Sequence, residues 1–408
     1  MHNAEHHRPK CLPAHRQLLG ALAFAIAPVV AAAQGFNDIP PNASGQTPAF
    51  ADQTRAPVIA DDLRLDRQVI ASGLVNPWGM DQLPDGRWLV TERPGRLRIV
   101  SADGTVSEPV AGLPEIDARR QGGLLDVVVR PDFDQTHRLW FSFSQPRGNG
   151  TNATAVATGV LSQDEQRLEQ VKVIFQQQPA WASTAHFGSR LVFDGNGALF
   201  VTTGERSLPG PRALAQDVGT HLGKVLRIDP MGGPAAGNPD IPGGLPEIWS
   251  WGHRNIQSAA LGPDGALWTV EHGPRGGDEL NRPEAGRNYG WPVITYGEDY
   301  SGRPIGQGLT AQQGMEQPVY YWDPVIAPSG MVFYDAAMFS GWQGSALIGG
   351  LASQALIRLE IDGGRVRGEA RYLEGQGRVR DVDQAQDGAV ILLIDADDGA
   401  LVRVTPAR

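Results

Sequence analysis

Residues 262–273 read GPDGALWTVEHG, a turn built on Pro-Asp-Gly followed by a short strand-like run. Asp and Gly supply the positive φ that a tight hairpin turn needs, and alternating apolar residues are the mark of a strand. Related phrases stand at five other places. LPDGRWLVTE occupies 83–92, RPDFDQTHRLWFSF 130–143 and FDGNGALFVTTG 193–204. FSGWQGSALIGG occupies 339–350 and AQDGAVILLID 385–395. Each reads as strand, tight turn, second strand. Six copies at spacings of roughly 45–80 residues are the signature of a radial repeat. The expected fold is therefore all-β, a six-bladed β-propeller with four-stranded antiparallel blades. Amphipathic helices are nearly absent; LSQDEQRLEQ at 161–170 is the best candidate, and it is short. A pair of β-sandwiches would not need six comparable hairpins.

Composition agrees. The 51 Gly and 31 Pro are spread along 408 residues without a low-complexity tract, which indicates many turns rather than disorder. The N-terminus reads as a secretion signal over residues 1–33. His6, His7, Arg8, Lys10 and Arg16 precede the apolar run LLGALAFAIAPVVAAA, which ends in small residues before Gln34. The alternative, a membrane anchor, fits less well because the run is short and contains a proline. The expected location is periplasmic or secreted. Loss of the signal would remove three of 35 basic and one of 45 acidic residues, taking the net charge from -10 to -12. Nothing in that balance favours nucleic acid or an anionic membrane. The one cysteine, Cys11, would leave with the signal, excluding disulfides, thiolate metal sites and a cysteine nucleophile. Residues 34–63 lack periodicity and read as a flexible leader to a single catalytic domain over 64–408.

In a propeller, loops converging over the central channel carry function. The long stretch 273–338 between the fourth and fifth copies is expected to form much of a site. His186, in ASTAHFGSRLVFD, lies just before a strand and beside Gly188. An imidazole suits proton acceptance at neutral pH, although a lone histidine is as readily a packing residue. The nine histidines show no HExxH or similar metal spacing. Arg254 and Asn255 stand between two strand-like segments, where a guanidinium and an amide could grip a polar ligand; a structural ion pair is the plain alternative. GPRGGDELN (273–281) and RNYGWPVITYGEDY (287–300) bring hard oxygen donors onto irregular backbone. Asp278, Glu279, Glu298 and Asp299 could coordinate Ca²⁺ with carbonyls such as those of Gly273 and Pro274, or form a solvated acidic loop. Arg378 and Arg380 alternate at i and i+2, so on a strand both point to one face and suit an anion with several carboxylates.

Together these phrases resemble the glucose/sorbosone dehydrogenase family, the soluble quinoprotein glucose and aldose sugar dehydrogenases. The resemblance runs from GLVNPWGM (73–80) to the final strand at 400–406, through QGGLLDVVVRPDF, HFGSRLVF, GKVLRIDP, GHRN, EHGPRGGDEL, NYGWP, APSG and RVRDV. It implies a six-bladed propeller that binds pyrroloquinoline quinone (PQQ) and calcium and oxidises aldoses at the anomeric carbon to the lactone. Electrons would pass to an external acceptor, a small carrier or a cytochrome. His186 matches the base, and Arg254 and Asn255 match residues at the quinone oxygens. Arg378 and Arg380 match the pair on the PQQ carboxylates, and Gln121 a further PQQ contact. Gly273 and Pro274 match carbonyls on the calcium beside PQQ. Glu279 and the Tyr289 carbonyl match ligands of a second calcium, with Asp278 and Glu298 weaker candidates.

Three positions depart from the glucose dehydrogenase pattern. Ala352 stands where those enzymes carry a cofactor-binding lysine, Ala185 replaces the aspartate before the base, and Glu205 replaces an aspartate near the channel. Loss of a charged hydrogen bond at 352 is worth about 1–3 kcal/mol of cofactor binding. Loops associated with glucose preference and dimer formation are shorter here, implying broad aldose specificity and a monomer. Two other readings share the fold: a calcium-dependent propeller lactonase and a non-catalytic binding propeller.

Overall fold

The computed structural model describes residues 35–61 and 63–407. The signal-peptide reading of residues 1–33, and Cys11 with it, lies outside the described residues. The described residues from Pro40 onward form one compact unit; residues 35–39 belong to another and contain a 3-10 turn, Phe36–Asp38. No helix among the described residues is long and apolar enough to cross a membrane.

The described residues form six sheets. In chain order their innermost strands are Pro77–Gln82, Leu124–Val129, Gly188–Phe193, Ile256–Leu261, Pro328–Phe333 and Val379–Gln384. We call the sheets blades 1 to 6 in that order. Each innermost strand has six residues and the same profile, four buried then two half-buried. Each also shifts register against the second strand of its blade, as a β-bulge does. The six quoted turns are the corners joining these two strands, so the repeat inferred from the sequence is the repeat of the structure.

The second strands correct one detail. Trp88–Glu92, Leu199–Thr203, Leu267–Glu271, Ala346–Gly350 and Val390–Ile394 are buried at every residue rather than alternately. A strand in mid-blade is covered on both faces by neighbouring blades, and so reads as a continuous apolar run. The core is accordingly divided into wedges, one at each blade interface. Between blades 1 and 2, for example, Leu89 and Leu97 meet Phe141 and Ala155; between blades 5 and 6, Leu347 and Leu356 meet Val379 and Leu392. Truncating one such leucine to alanine costs about 2–5 kcal/mol.

Blade composition varies around the ring. Blade 1 has three strands, extended by an isolated bridge from Val100 to Val106. In blade 3 a fifth strand, Arg287–Asn288, pairs parallel with Ile248–Trp251. Blade 6 is closed by the N-terminal strand Leu65–Leu74, which pairs antiparallel with Gly399–Pro406. The helix candidate at 161–170 is instead a hairpin: Asn152–Leu161 turns through Glu165, at φ 58°, into Leu168–Gln176.

The leader expected over 34–63 is also different in fact. Gln53 is fully buried, its amide donating to the Pro318 carbonyl and its side-chain oxygen accepting from Tyr296 Oη. Asn42 and Ala43 donate backbone N–H groups to Asp323, and Val58 bridges to Glu369. Polar residues without periodicity signalled a coil, and a coil it is, but one bonded to blades 4 and 5.

Candidate active site

Because every innermost strand starts at the same end of the channel, and every second strand returns to it, one end collects residues from all six blades. They enclose a cavity of about 220 Å³. Blade 1 gives Trp78 and Arg93, blade 2 Gln121 and Leu125, blade 3 Phe187 and Gly188. Blade 4 adds Asn255, Gln257 and His272, blade 5 Ala327 and Leu351, and blade 6 Arg378, Arg380 and Asp395. The stretch 273–338 contributes less than expected. Of it, Ala327 lines the cavity, and Trp291 takes the Arg254 guanidinium over its ring at 5.2 Å.

His186 is not itself part of the cavity lining; the next two residues, Phe187 and Gly188, line it, and the preceding Ala185 lines a surface cleft. Its backbone is left-handed, φ 52°, and its ring is buried. Gly204 explains how two strand ends approach so closely there: a Cβ on it would stand 2.2 Å from the His186 carbonyl oxygen. The His186 N–H donates to Gln121 Oε1 at 2.8 Å, and the Gly188 N–H to Asn255 Oδ1 at 3.2 Å. Three residues singled out from separate parts of the sequence thus meet. The Nδ1 atom of His186 lies 2.9 Å from Glu205 Oε1. Burial first, then the charge of Arg254, hold the imidazole below its ordinary pKa, against the opposing pull of Glu205.

Arg378 and Arg380 do share one face. Both reach Asp395 Oδ2, at 3.4 and 3.3 Å, and both line the cavity. Arg380 is buried and its pKa is lowered to about 10 by burial, whereas the Arg378 side chain is 48% exposed. Arg254 donates through Nη1 to the His272 carbonyl. Ala352 is exposed; at that corner it is Leu351 that lines the cavity.

The acidic residues of the 273–300 region separate into different roles. Asp278 accepts from the Gly273, Ile326 and Ala327 N–H groups, so its oxygens organise the loop. Glu298 pairs with Arg275 at the surface, 2.6 Å away, and Asp299 is bonded to Ser301. Glu279 is half-buried close to Glu271, and desolvation raises its pKa, with the Glu271 charge adding to the rise. Asn281 donates to both carboxylates while its own buried Oδ1 has no partner. Tyr289 stacks on His253, whose Nδ1 pairs with the same Glu271. Among the described residues, neither the Gly273 nor the Pro274 carbonyl accepts a hydrogen bond.

Beneath the cavity the channel is charged. Arg190 binds Asp126 at 2.9 Å and Asp381 at 3.1 Å, and its guanidinium lies over the Trp78 ring at 4.7 Å. Burial raises Asp126 to about 7, and burial with the neighbouring Asp381 charge raises Asp383 to about 7. Sequence reasoning missed Trp78, Arg93, Gln257, His272 and Asp395. A signal for several was present: Arg93, Glu205, His272, Leu351 and Asp395 all fall just after the second strand of a repeat.

The glucose/sorbosone dehydrogenase family profile matches residues 74–403. An aldose sugar dehydrogenase of Escherichia coli is 42% identical over 345 residues, covering 83% of this chain and 92% of its own. A glucose dehydrogenase crystal structure superposes with TM-score 0.81 at 45% identity, covering 84% of this chain and all of that one. The PQQ-bound aldose sugar dehydrogenase of Streptomyces coelicolor superposes with TM-score 0.69 at 27% identity, covering 85% of this chain and all of its own.

Proposed function

The chain belongs to the glucose/sorbosone dehydrogenase family, and from that premise we propose that it oxidises aldose sugars at the anomeric carbon to lactones with PQQ and calcium. It would act as an exported monomer and pass electrons to an external acceptor. The observation that carries this reading is His186, buried and held by Glu205, immediately before Phe187 and Gly188 in the wall of a cavity that also presents Arg378 and Arg380.

The residues fit both groups. Arg93, Arg378 and Arg380 give the cavity a cationic wall, and the Gln121, Asn255 and Gln257 amides add fixed polar contacts suited to a planar polycarboxylate. For calcium, the free carbonyls of Gly273 and Pro274 would serve the site beside PQQ. Glu279, the unpartnered Asn281 Oδ1 and the Tyr289 carbonyl would serve a second ion. Among the described residues no three His, Cys, Asp or Glu side chains cluster as a metal site would need. A cation here must therefore draw on carbonyls with one or two carboxylates, as calcium does. When bound, PQQ supplies the hydride acceptor and calcium polarises it.

The chain's own part is proton transfer and charge. An ionised Glu205 can only accept, so the hydrogen of neutral His186 sits on Nδ1 and the lone pair on Nε2 is the base. The depressed pKa keeps that lone pair available at neutral pH. As the substrate hydroxyl gives up its proton to Nε2, Glu205 stabilises the imidazolium formed. Arg254 and Asn255 would meet the negative charge that develops opposite, in a site sheltered from water.

The test is reconstitution: add PQQ and Ca²⁺ to the purified protein and follow dye reduction with a panel of aldoses. His186→Ala should keep the spectrum of bound PQQ and lose nearly all turnover. PQQ bound with no aldose oxidised by any variant would remove the reading.

A further inference from the structure

The reading above leaves unused one of the largest fully buried side chains in the protein, that of Arg206. It immediately follows Glu205. Its Nη1 donates to the His186 carbonyl at 3.2 Å and its Nη2 to the Ser183 carbonyl at 2.7 Å, with a further bond to Asn152 Oδ1. The guanidinium carbon lies 3.7 Å from the centroid of the Phe187 ring, the residue after the base. Nε has no partner. These partners are two carbonyls, an amide oxygen and a ring rather than a carboxylate. A charge buried on such terms is costly, and a fold that retains it needs a compensating role.

Geometry indicates the role. His186 at φ 52°, Arg206 at 72° and Ser207 at 67° all adopt the left-handed conformation that side chains disfavour. Consecutive residues thus divide the hold on His186: Glu205 takes the ring and Arg206 takes the main chain. Arg suits this position and Lys does not. Only a planar fork can bond two carbonyls while stacking on an aromatic face.

We propose that Arg206 is the positioning residue of His186, clamping its backbone in the left-handed conformation from behind Phe187. The charged groups facing that ring are Glu205, which favours the proton, and Arg254 and Arg206, which oppose it; His272, on blade 4, also senses it. The inference rests on His186 being the base, so the experiment separates the two.

In apoprotein with isotope-labelled histidine, the titration of His186 is followed by NMR in wild type, Arg206→Gln and Arg206→Lys. Arg206→Gln should raise the midpoint by about half a pH unit or more, and Arg206→Lys, which restores the charge but not the fork, should return it towards wild type. In the PQQ- and calcium-loaded enzyme, Arg206→Gln should lower kcat by about tenfold or more, with KM and PQQ affinity within about twofold. Arg206→Lys should restore the acid limb of the pH profile while recovering kcat only in part. If Arg206→Gln fails to fold, Arg206→Lys carries the test: an unchanged titration with reduced kcat supports the clamp, and wild-type kcat overturns it. An unshifted His186 titration and full kcat in folded Arg206→Gln overturn the proposal. Retained turnover in His186→Ala would overturn the base reading alone, leaving the apoprotein titration to judge the clamp.

Discussion

Glu205 Oε1 lies 2.9 Å from His186 Nδ1, with the Glu205 side chain fully buried and that of His186 9% exposed. On the proposed reading, a carboxylate so placed would select the tautomer of His186 and compensate its charge after proton transfer. Glu205→Gln should therefore lower kcat by about 10²-fold or more, with PQQ binding intact. Steady-state kinetics beside a spectroscopic PQQ titration check this; equal losses in binding and turnover would assign Glu205 to the cofactor instead.

The two blade 6 arginines should differ. Arg380 is buried and bonded to Gln257 and Asp395, whereas half of the Arg378 side chain meets solvent, where screening weakens a charge. Arg380→Ala should weaken PQQ binding about 10–100-fold, the loss of a sheltered charged hydrogen bond. Arg378→Ala should cost less than about tenfold. Isothermal titration of the two variants decides the order, and the reverse ranking would place the cofactor's carboxylates nearer the rim.

Channel carboxylates give a pH signature to the apoprotein. Asp126 and Asp383 have folded pKa values raised to about 7, above those of an unfolded chain. Their neutral forms are favoured by folding, so this stability is fully present below the ordinary carboxylate range and is lost as pH rises through about 7. Asp383→Asn keeps an acceptor for the Gln384 N–H and removes the charge. Its Tm should exceed that of wild type at pH 8, and by a smaller margin at pH 5. Scanning calorimetry at both values makes the comparison, and a gain confined to pH 5 would reverse the sign of the argument.

Calcium should act on Glu279 in the opposite sense. Without metal, desolvation beside Glu271 makes an ionised Glu279 unfavourable; on the proposed reading the same charge would be a ligand once calcium binds. Added Ca²⁺ should raise the Tm of wild type and not that of Glu279→Gln. In chelator at pH 9 the variant should be the more stable of the two. A calcium-induced rise of equal size in both proteins would locate the ion elsewhere.

The architecture was legible because it is written six times. Asp-Gly corners and short apolar strands repeat at each blade, and no single corner had to be right. The cavity was legible where a residue stood out within a phrase, as the 378/380 pair and Asn255 did. It was obscure where placement came from the second strand of a repeat. Asp395 and His272 look ordinary in VILLIDAD and TVEHG, and only the returning strand brings them to the cavity. The segment 40–61 was misread for a related reason. Its contacts with Pro318, Tyr320 and Asp323 join residues distant in sequence, and no local pattern encodes them.

The pairing of Leu65–Leu74 with Gly399–Pro406 makes assembly a matter of timing. The first of these strands emerges early in synthesis, and the other five blades lie between it and its partner. Until Gly399–Pro406 arrives, one edge of the ring remains unsatisfied, open to pairing with another chain. Arg378, Arg380 and Asp395 belong to the blade that this step completes. The cavity thus becomes competent only when the circle shuts, and trimming a few residues from Gly399–Pro406 should silence the enzyme without touching a single group that meets the ligand.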